Sequence, residues 1–356
     1  MGRRTGHVSR HGACEQTRGY EMRYKLLGKS GLRVSELCLG TMTFGETWGW
    51  GASKEESRRI FDAFVAAGGN FIDTANNYTD GTSEAYLGEF IASARERLVV
   101  ATKYTLTSRK DDPNGGGNSR KNLVQSLDAS LKRLRTDYVD LLWLHMWDDM
   151  TPVEEVMRVL DDVVRAGKVL YVGISDTPAW VVAQANTLAD LRGWSRFVAL
   201  QFPYSLAGRT PERDLLPVAR AFDMAVLAWG ALEHGGLTGK YNRETAEPKR
   251  FESASPQTLT LAEAVMRLAG TLGRSPAQVA LNWVRQQDRR IIPLMGARTA
   301  AQARDNLACL EWELTPEQVS ELSELSPIAL GFPQSFLASD EVTELIFGNT
   351  RPLIDA

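Results

Sequence analysis

Along this chain, short apolar runs alternate with stretches in which apolar residues recur at helical spacing. Eight runs read as strands: residues 36–40, 70–74, 98–103, 139–145, 169–175, 197–202, 225–229 and 290–296. Between them, 53–67 places Ile60, Phe61, Phe64 and Val65 on one helical face and stops at Gly68-Gly69. The stretch 83–93 opens on Ser83 as an N-cap, with an acidic residue in the first turn. Residues 119–135 and 151–166 repeat the scheme, the second closing at Gly167. Ahead of all these, 22–27 and 32–34 flank the turn-rich 28–31 and predict a short hairpin. Strand and helix alternating eight times call for a parallel sheet with helices outside it. An open doubly wound sheet would need a glycine-rich dinucleotide loop after its first strand. Residues 38–45 lack that spacing, and the Gly115–Gly117 cluster has no strand before it. The pattern predicts an α/β fold of the (β/α)8 TIM-barrel type.

Several of these runs end in a lone polar residue. Asp73 stands at the C-terminal end of the second, one residue before its close, Lys103 ends the third and His145 the fourth, while Tyr78 follows Asp73 by five residues in the next loop. Strand C-termini and the loops after them build the site of such barrels. A carboxylate, a phenol, an ammonium and an imidazole brought together there suit proton transfer to the oxygen of a carbonyl group. Hydride addition to a carbonyl leaves charge on oxygen, so an acid must supply a proton as the alkoxide forms. Free tyrosine, with a pKa of about 10, donates reluctantly at neutral pH. An adjacent ammonium favours the phenolate, so Lys103 is expected to lower the pKa of Tyr78. Asp73 would keep Lys103 charged and aimed, and His145 would hydrogen-bond the carbonyl oxygen.

Composition narrows the classes. The chain has 356 residues, which a barrel of this kind can use as one domain, here 22–356. A net charge of −3 gives no basic footprint for nucleic acid, and no apolar run is long enough to span a bilayer. Cys14, Cys38 and Cys309 show neither a disulfide framework nor zinc-ligand spacing, so a cytoplasmic location without a bound metal is expected. The first 21 residues are polar, rich in Arg and Gly, and lack the apolar core of a secretory signal. They read as a disordered extension ahead of a native start at Met22, and His11 with Cys14 in that extension makes a poor ligand set.

Asp73, Tyr78, Lys103 and His145, with their spacing, resemble the tetrad of the aldo-keto reductases. The likeness runs from about Met22 to Leu325, and it implies that the hairpin plugs the N-terminal end of the barrel. It is most similar to a bacterial branch near the aryl-alcohol dehydrogenases, and potassium-channel β subunits also resemble this family. The resemblance implies NADPH as cofactor. The stretch 292–307 is similar to the family's passage from eighth strand to eighth helix: Arg298 would meet the 2′-phosphate, with Gly296, Gln302, Asp305 and Asn306 around it. A guanidinium matches phosphate in a forked geometry, and a helix start adds backbone donors. Ser175 and Asp176 stand where the family holds the carboxamide with a Ser-Asn pair. Aspartate can accept from the amide nitrogen but cannot donate to its oxygen. Gln201 matches the family's carboxamide-binding glutamine, and Trp229 stands where a tyrosine usually stacks on the nicotinamide. Leu237, Gly239 and Lys240 would lie near the pyrophosphate, and Gly40, Thr41 and Met42 would border the cofactor after the first strand.

For the substrate, Phe44, Trp48, Trp50, Tyr104 and Trp147 offer aromatic walls, and Phe332 lies in a tail able to fold back over the barrel mouth. Trp48 and Trp50 could equally pack under their own loop. The expected activity is NADPH-dependent reduction of aromatic or medium-sized aldehydes and ketones, reversible, with Tyr78 as acid and base. Two alternatives stay open: a cofactor-sensing regulatory subunit, and a sugar or pyridoxal reductase with more polar pocket walls. The expected partner is a small carbonyl compound, with neither nucleic acid nor membrane; self-association stays open.

Overall fold

The computed structural model describes residues 22–244 and 252–354. The extension expected over residues 1–21 lies outside the described residues. Among the described residues there are ten strands: β1 (Tyr24–Leu26), β2 (Arg33–Ser35), β3 (Cys38–Gly40), β4 (Phe71–Asp73), β5 (Val99–Tyr104), β6 (Val139–Leu144), β7 (Val169–Ser175), β8 (Phe197–Pro203), β9 (Ala225–Trp229) and β10 (Ile291–Met295). The last eight, β3 to β10, pair in parallel and close into a barrel, β10 returning to β3 through Leu294 opposite Cys38. Each expected strand is found, its ends moved by no more than two residues.

The connecting helices form where the apolar spacing places them. Helix α1 (Lys54–Ala66) starts at Ser53, whose side chain accepts from the Glu56 N–H, and buries Ile60, Phe61 and Phe64. Helix α2 (Thr82–Ile91) departs from the sequence reading, because its N-cap is Gly81 in a left-handed conformation, not Ser83. Ser83 lies inside the first turn, and its hydroxyl donates to the Thr41 carbonyl at 2.8 Å, tying α2 to the end of β3. Helices α3 (Arg120–Leu134), α4 (Val153–Arg165), α5 (Ala179–Arg192) and α6 (Leu215–Ala221) follow their strands in turn. Two helices, α7 (Pro256–Leu272) and α8 (Pro276–Arg285), precede β10, and α9 (Ala300–Leu307) and α10 (Pro316–Glu324) come after it.

Burial falls into two shells. Inside the barrel, Phe71, Val99, Leu141, Trp143, Leu227 and Ile292 pack with Leu27 and Val34 of the hairpin. A second and larger core lies between the strands and the helices. The hairpin of β1 and β2 therefore closes the N-terminal end. Its turn is seated so tightly that a Cβ on Gly28 would lie 2.2 Å from the Val198 carbonyl oxygen, and Gly28 has φ +55°. Glycine is required inside the barrel too, since a Cβ on Gly173 would fall 2.4 Å from the Trp143 ring. Among the described residues, the hairpin covers the N-terminal end and the cavity opens at the C-terminal end.

Beyond α10 the chain forms a tail with α11 (Gln334–Leu337) and α12 (Asp340–Phe347). It is held to the segment after β8: Arg213 donates to the Ala329 carbonyl at 2.9 Å, and Gln334 donates to the Arg213 carbonyl at 3.0 Å. No helix among the described residues is long and apolar enough to cross a membrane.

Candidate active site

Strand register brings the tetrad together. Gly40 lies opposite Asp73, Asp73 opposite Ala101, and Lys103 opposite Trp143, so Asp73 and Lys103 reach the same end of the barrel on neighbouring strands. Lys103 is fully buried, and its ammonium donates to the Asp73 carboxylate, to the Thr74 carbonyl at 2.9 Å and to the Tyr78 hydroxyl at 3.0 Å. Gln201 donates to the other Asp73 oxygen at 3.3 Å. The His145 ring stands edge-on to Tyr78, with centroids 6.0 Å apart. Its Nδ1 is buried and has no hydrogen-bond partner among the described residues.

Tyr78 is placed by a strained turn. Thr79 and Asp80 have φ +47° and +57°, and Gly81 follows at +87°. A β-branched residue in the left-handed region is an outlier and needs compensation. Thr79 has it: its hydroxyl donates to the Phe44 carbonyl at 2.6 Å and accepts from the Ser83 N–H at 3.1 Å.

The electrostatics depart from the sequence expectation at Tyr78. Burial drives its pKa above the ordinary value of 10.0, and the attraction of Lys103 recovers only part of that rise. The phenol is therefore held as an acid, not as a phenolate. Burial works against the Lys103 ammonium, but Asp73 and Tyr78 outweigh it and keep the lysine charged. His145 is moved well below 6.5, by burial first and then by the Lys103 charge, so its imidazole is neutral at neutral pH.

These groups face a cavity of about 790 Å³ at the C-terminal end. Of the tetrad, Asp73, Tyr78 and His145 line it, with Lys103 directly behind them. Gly40, Met42, Asp176, Gln201 and Trp229 form further wall, as do Lys240, Gly296, Arg298, Gln302, Asp305 and Asn306. Thr41, Ser175, Leu237 and Gly239 lie behind the lining. Asp176 has φ +43° and accepts from the Trp229 indole N–H at 3.2 Å, which fixes the indole plane. Asp305 is held by Ser275 at 2.7 Å and Gln278 at 2.8 Å, and Asn306 donates to the Gly296 carbonyl at 3.2 Å. Around Arg298, the helix start is ordered by Thr299, which accepts from the Gln302 N–H.

The aromatic walls divide. Trp48 and Trp50 pair at 5.7 Å and both line the cavity. Phe44 and Tyr104 are instead fully buried, Phe44 against Phe90, because they belong to the core beneath the loops. Trp147 packs on that same core and does not reach the cavity. Phe332 is 84% exposed and lies outside the cavity, so the tail does not close the mouth. The bonds from Arg213 and Gln334 hold the tail to the segment after β8. Sequence reasoning missed Met146, Leu232, His234 and Ser275–Ala277, all of which line the cavity. The His234 ring is 6.1 Å from that of Trp229. Met146 directly follows His145 and was the one neighbour whose place could have been inferred.

The comparisons agree with this geometry. The family model described as the aldo/keto reductase family matches residues 36–327. A norsolorinic acid reductase of Emericella nidulans is 41% identical over 318 residues, covering 86% of this chain and 82% of the relative. A putative aryl-alcohol dehydrogenase of Saccharomyces cerevisiae is 37% identical over 339 residues, covering 89% and 90%. An aryl-alcohol dehydrogenase [NADP(+)] of Phanerodontia chrysosporium is 36% identical over 332 residues, covering 85% of each chain. These relatives are fungal and give no support to a bacterial placement or to a likeness with potassium-channel β subunits. With its closed eightfold barrel, this chain is an oxidoreductase that belongs to the aldo/keto reductase family.

Proposed function

We propose that this protein reduces aldehydes or ketones with NADPH, using Tyr78 as the proton donor. The observation that carries the proposal is the linked set Asp73–Lys103–Tyr78, with neutral His145 beside it, opening into one cavity that also contains Arg298. The donor set fits the cofactor. Gln201 and Asp176 offer amide and carboxylate groups to a carboxamide, and Trp229 presents a braced flat face. Arg298 stands beside the first turn of α9 for a phosphate. When bound, the nicotinamide supplies the hydride that adds to the carbonyl carbon.

The residues of the chain do the rest. His145, neutral and lining the cavity, orients the carbonyl oxygen by hydrogen bonding. The raised pKa of Tyr78 keeps its proton in place until charge develops on that oxygen, and the proton then moves from the phenol to the alkoxide. Lys103, 3.0 Å from the phenol oxygen, stabilises the phenolate left behind, and Asp73 keeps the ammonium aimed. The reverse oxidation uses the same groups with the phenolate as base.

Trp48, Trp50 and Met146 add apolar surface to the cavity lining, which suits aromatic carbonyl compounds, in keeping with the aryl-alcohol dehydrogenase names of the relatives. Cytoplasmic placement belongs to the same proposal and rests on three cysteines without a pairing pattern. The test is a fluorescence titration with NADPH and NADH, followed by turnover of 4-nitrobenzaldehyde. Tight NADPH binding with cofactor oxidation is the expected result. Binding without turnover across a carbonyl panel would favour a cofactor-sensing regulatory role, and binding of neither nucleotide would overturn the cofactor assignment.

A further inference from the structure

Where β5 and β6 end, the regular ladder gives way to side chains. The parallel pairing stops at Tyr104 opposite Leu144, so the next position on β5 is Thr105 and on β6 is His145. Thr105 has φ +100°, a conformation that a β-branched residue rarely adopts. The turn takes its backbone out of register with β6, and its hydroxyl becomes the acceptor for the His145 N–H at 3.2 Å. The same hydroxyl donates to Asn118 Oδ1 at 2.7 Å. Asn118 is fully buried, and its side-chain amide donates to the Met146 carbonyl at 3.0 Å. Its backbone N–H donates to Asp148 at 2.6 Å, and the Gly117 N–H donates to the Thr105 carbonyl at 2.8 Å.

The His145–Met146 segment is thus held on both sides, at the amide N–H of one residue and at the carbonyl of the other. Fixing those two groups fixes the direction of the Cα–Cβ bond of His145, and with it the approach of the imidazole to Tyr78. Strain at a position that its surroundings over-determine is a mark of a pre-organised site. Supporting contacts of this kind lock a functional side chain in its working geometry. We propose that Thr105 and Asn118 are positioning residues that aim His145, with the hydroxyl of Thr105 as the pivot. The proposal rests on the reductase reading for its kinetic consequence, but not for its structural one.

The test combines two readouts on Thr105→Val, which removes the hydroxyl and keeps the branched shape, and on Thr105→Ser, which keeps the hydroxyl. The chain has four histidines, so the imidazole resonances of His145 can be assigned by substitution. They should shift in Thr105→Val and return close to the wild-type position in Thr105→Ser, with or without a substrate in hand. With 4-nitrobenzaldehyde, Thr105→Val should lower kcat by about tenfold or more and raise the carbonyl KM, with the NADPH Kd unchanged. Thr105→Ser should recover most of kcat. Unmoved His145 resonances in Thr105→Val would overturn the proposal even if the wild type proved inactive on every carbonyl tried. So would a matching loss of NADPH affinity, which would point to general damage. Should Thr105→Val be recovered too poorly to assay, Asn118→Asp keeps an acceptor for Thr105 and replaces the donor to Met146 with a carboxylate oxygen. The same resonance shift is expected there, and its absence would count equally against the role.

Discussion

The two ends of the barrel are built differently. At the N-terminal end the buried charges are partnered. Arg285 donates to Glu36 at 2.9 Å, to Asn282 at 3.1 Å and to the Trp312 carbonyl at 3.2 Å. The second Glu36 oxygen accepts from the Arg23 N–H at 3.1 Å, and Lys25 donates to the Ile291 carbonyl at 2.8 Å. At the C-terminal end, His145 Nδ1 and Asn77 Oδ1 are buried without partners among the described residues. Thr79, Asp80, Thr105, Asp149, Asp176, Glu233 and His234 there all have positive φ. The N-terminal end also leaves Arg196 Nε and Arg290 Nε buried without partners among the described residues and has Arg135 and Asp223 at positive φ, so the ends differ in degree: left-handed backbone gathers around the candidate site.

That contrast can be broken at four points. Tyr78→Phe should lower carbonyl reduction by about 10²–10⁴-fold, the range for a positioned general acid. Its NADPH titration and melting curve should stay close to wild type; lost nucleotide binding would show Tyr78 to be misassigned. At the other end, Glu36→Ala leaves buried Arg285 with only the exposed Glu313 carboxylate at 3.6 Å among the described residues and should cost about 3 kcal/mol of stability. Denaturant unfolding reads this directly, and kcat at low temperature should not change. A fall in kcat with unaltered stability would erase the division between the ends.

Arg298→Ala should weaken NADPH by about thirtyfold, the ~2 kcal/mol typical of a charge-assisted hydrogen bond, and NADH hardly at all. Equal losses for the two nucleotides would remove the 2′-phosphate role. The smallest effect sharpens the comparison by its flatness. In the proposed mechanism, reduction needs protonated Tyr78, whose pKa is raised from the ordinary 10.0 by burial, and neutral His145, whose pKa is moved well below 6.5. The rate of reduction should therefore stay level from about pH 7 to 9 and fall only as the phenol ionises at higher pH. Oxidation, which needs the phenolate, should rise over the same range. A falling limb for reduction centred below pH 9 would mean that Lys103 outweighs burial.

Much of this was legible in the chain. Asp73, Lys103 and His145 could be found because each interrupts or ends an apolar run, and a barrel strand can place such a residue only at its rim. Trp48 and Trp50 were recognisable as possible wall. Phe44, Tyr104 and Trp147 look the same in sequence but belong to the core, because aromatic identity does not say which side of a loop faces the cavity. The left-handed turns at Thr79 and Thr105 carry no glycine or asparagine at the strained position, so no turn signal marked them.

The sequence by itself determined the alternation of strand and helix, the eightfold count and the residue types available at each strand end. These follow from local periodicity, which is written along the chain. Only the tertiary structure decided which of those residues meet and in what state. Tyr78 and Lys103 are 25 positions apart, and Asp73 and Gln201 are 128 apart. Their encounter depends on closure of the sheet. The sign of the Tyr78 shift depends on it too, because burial and an adjacent charge act in opposite directions, and only the depth of the folded site fixes which prevails.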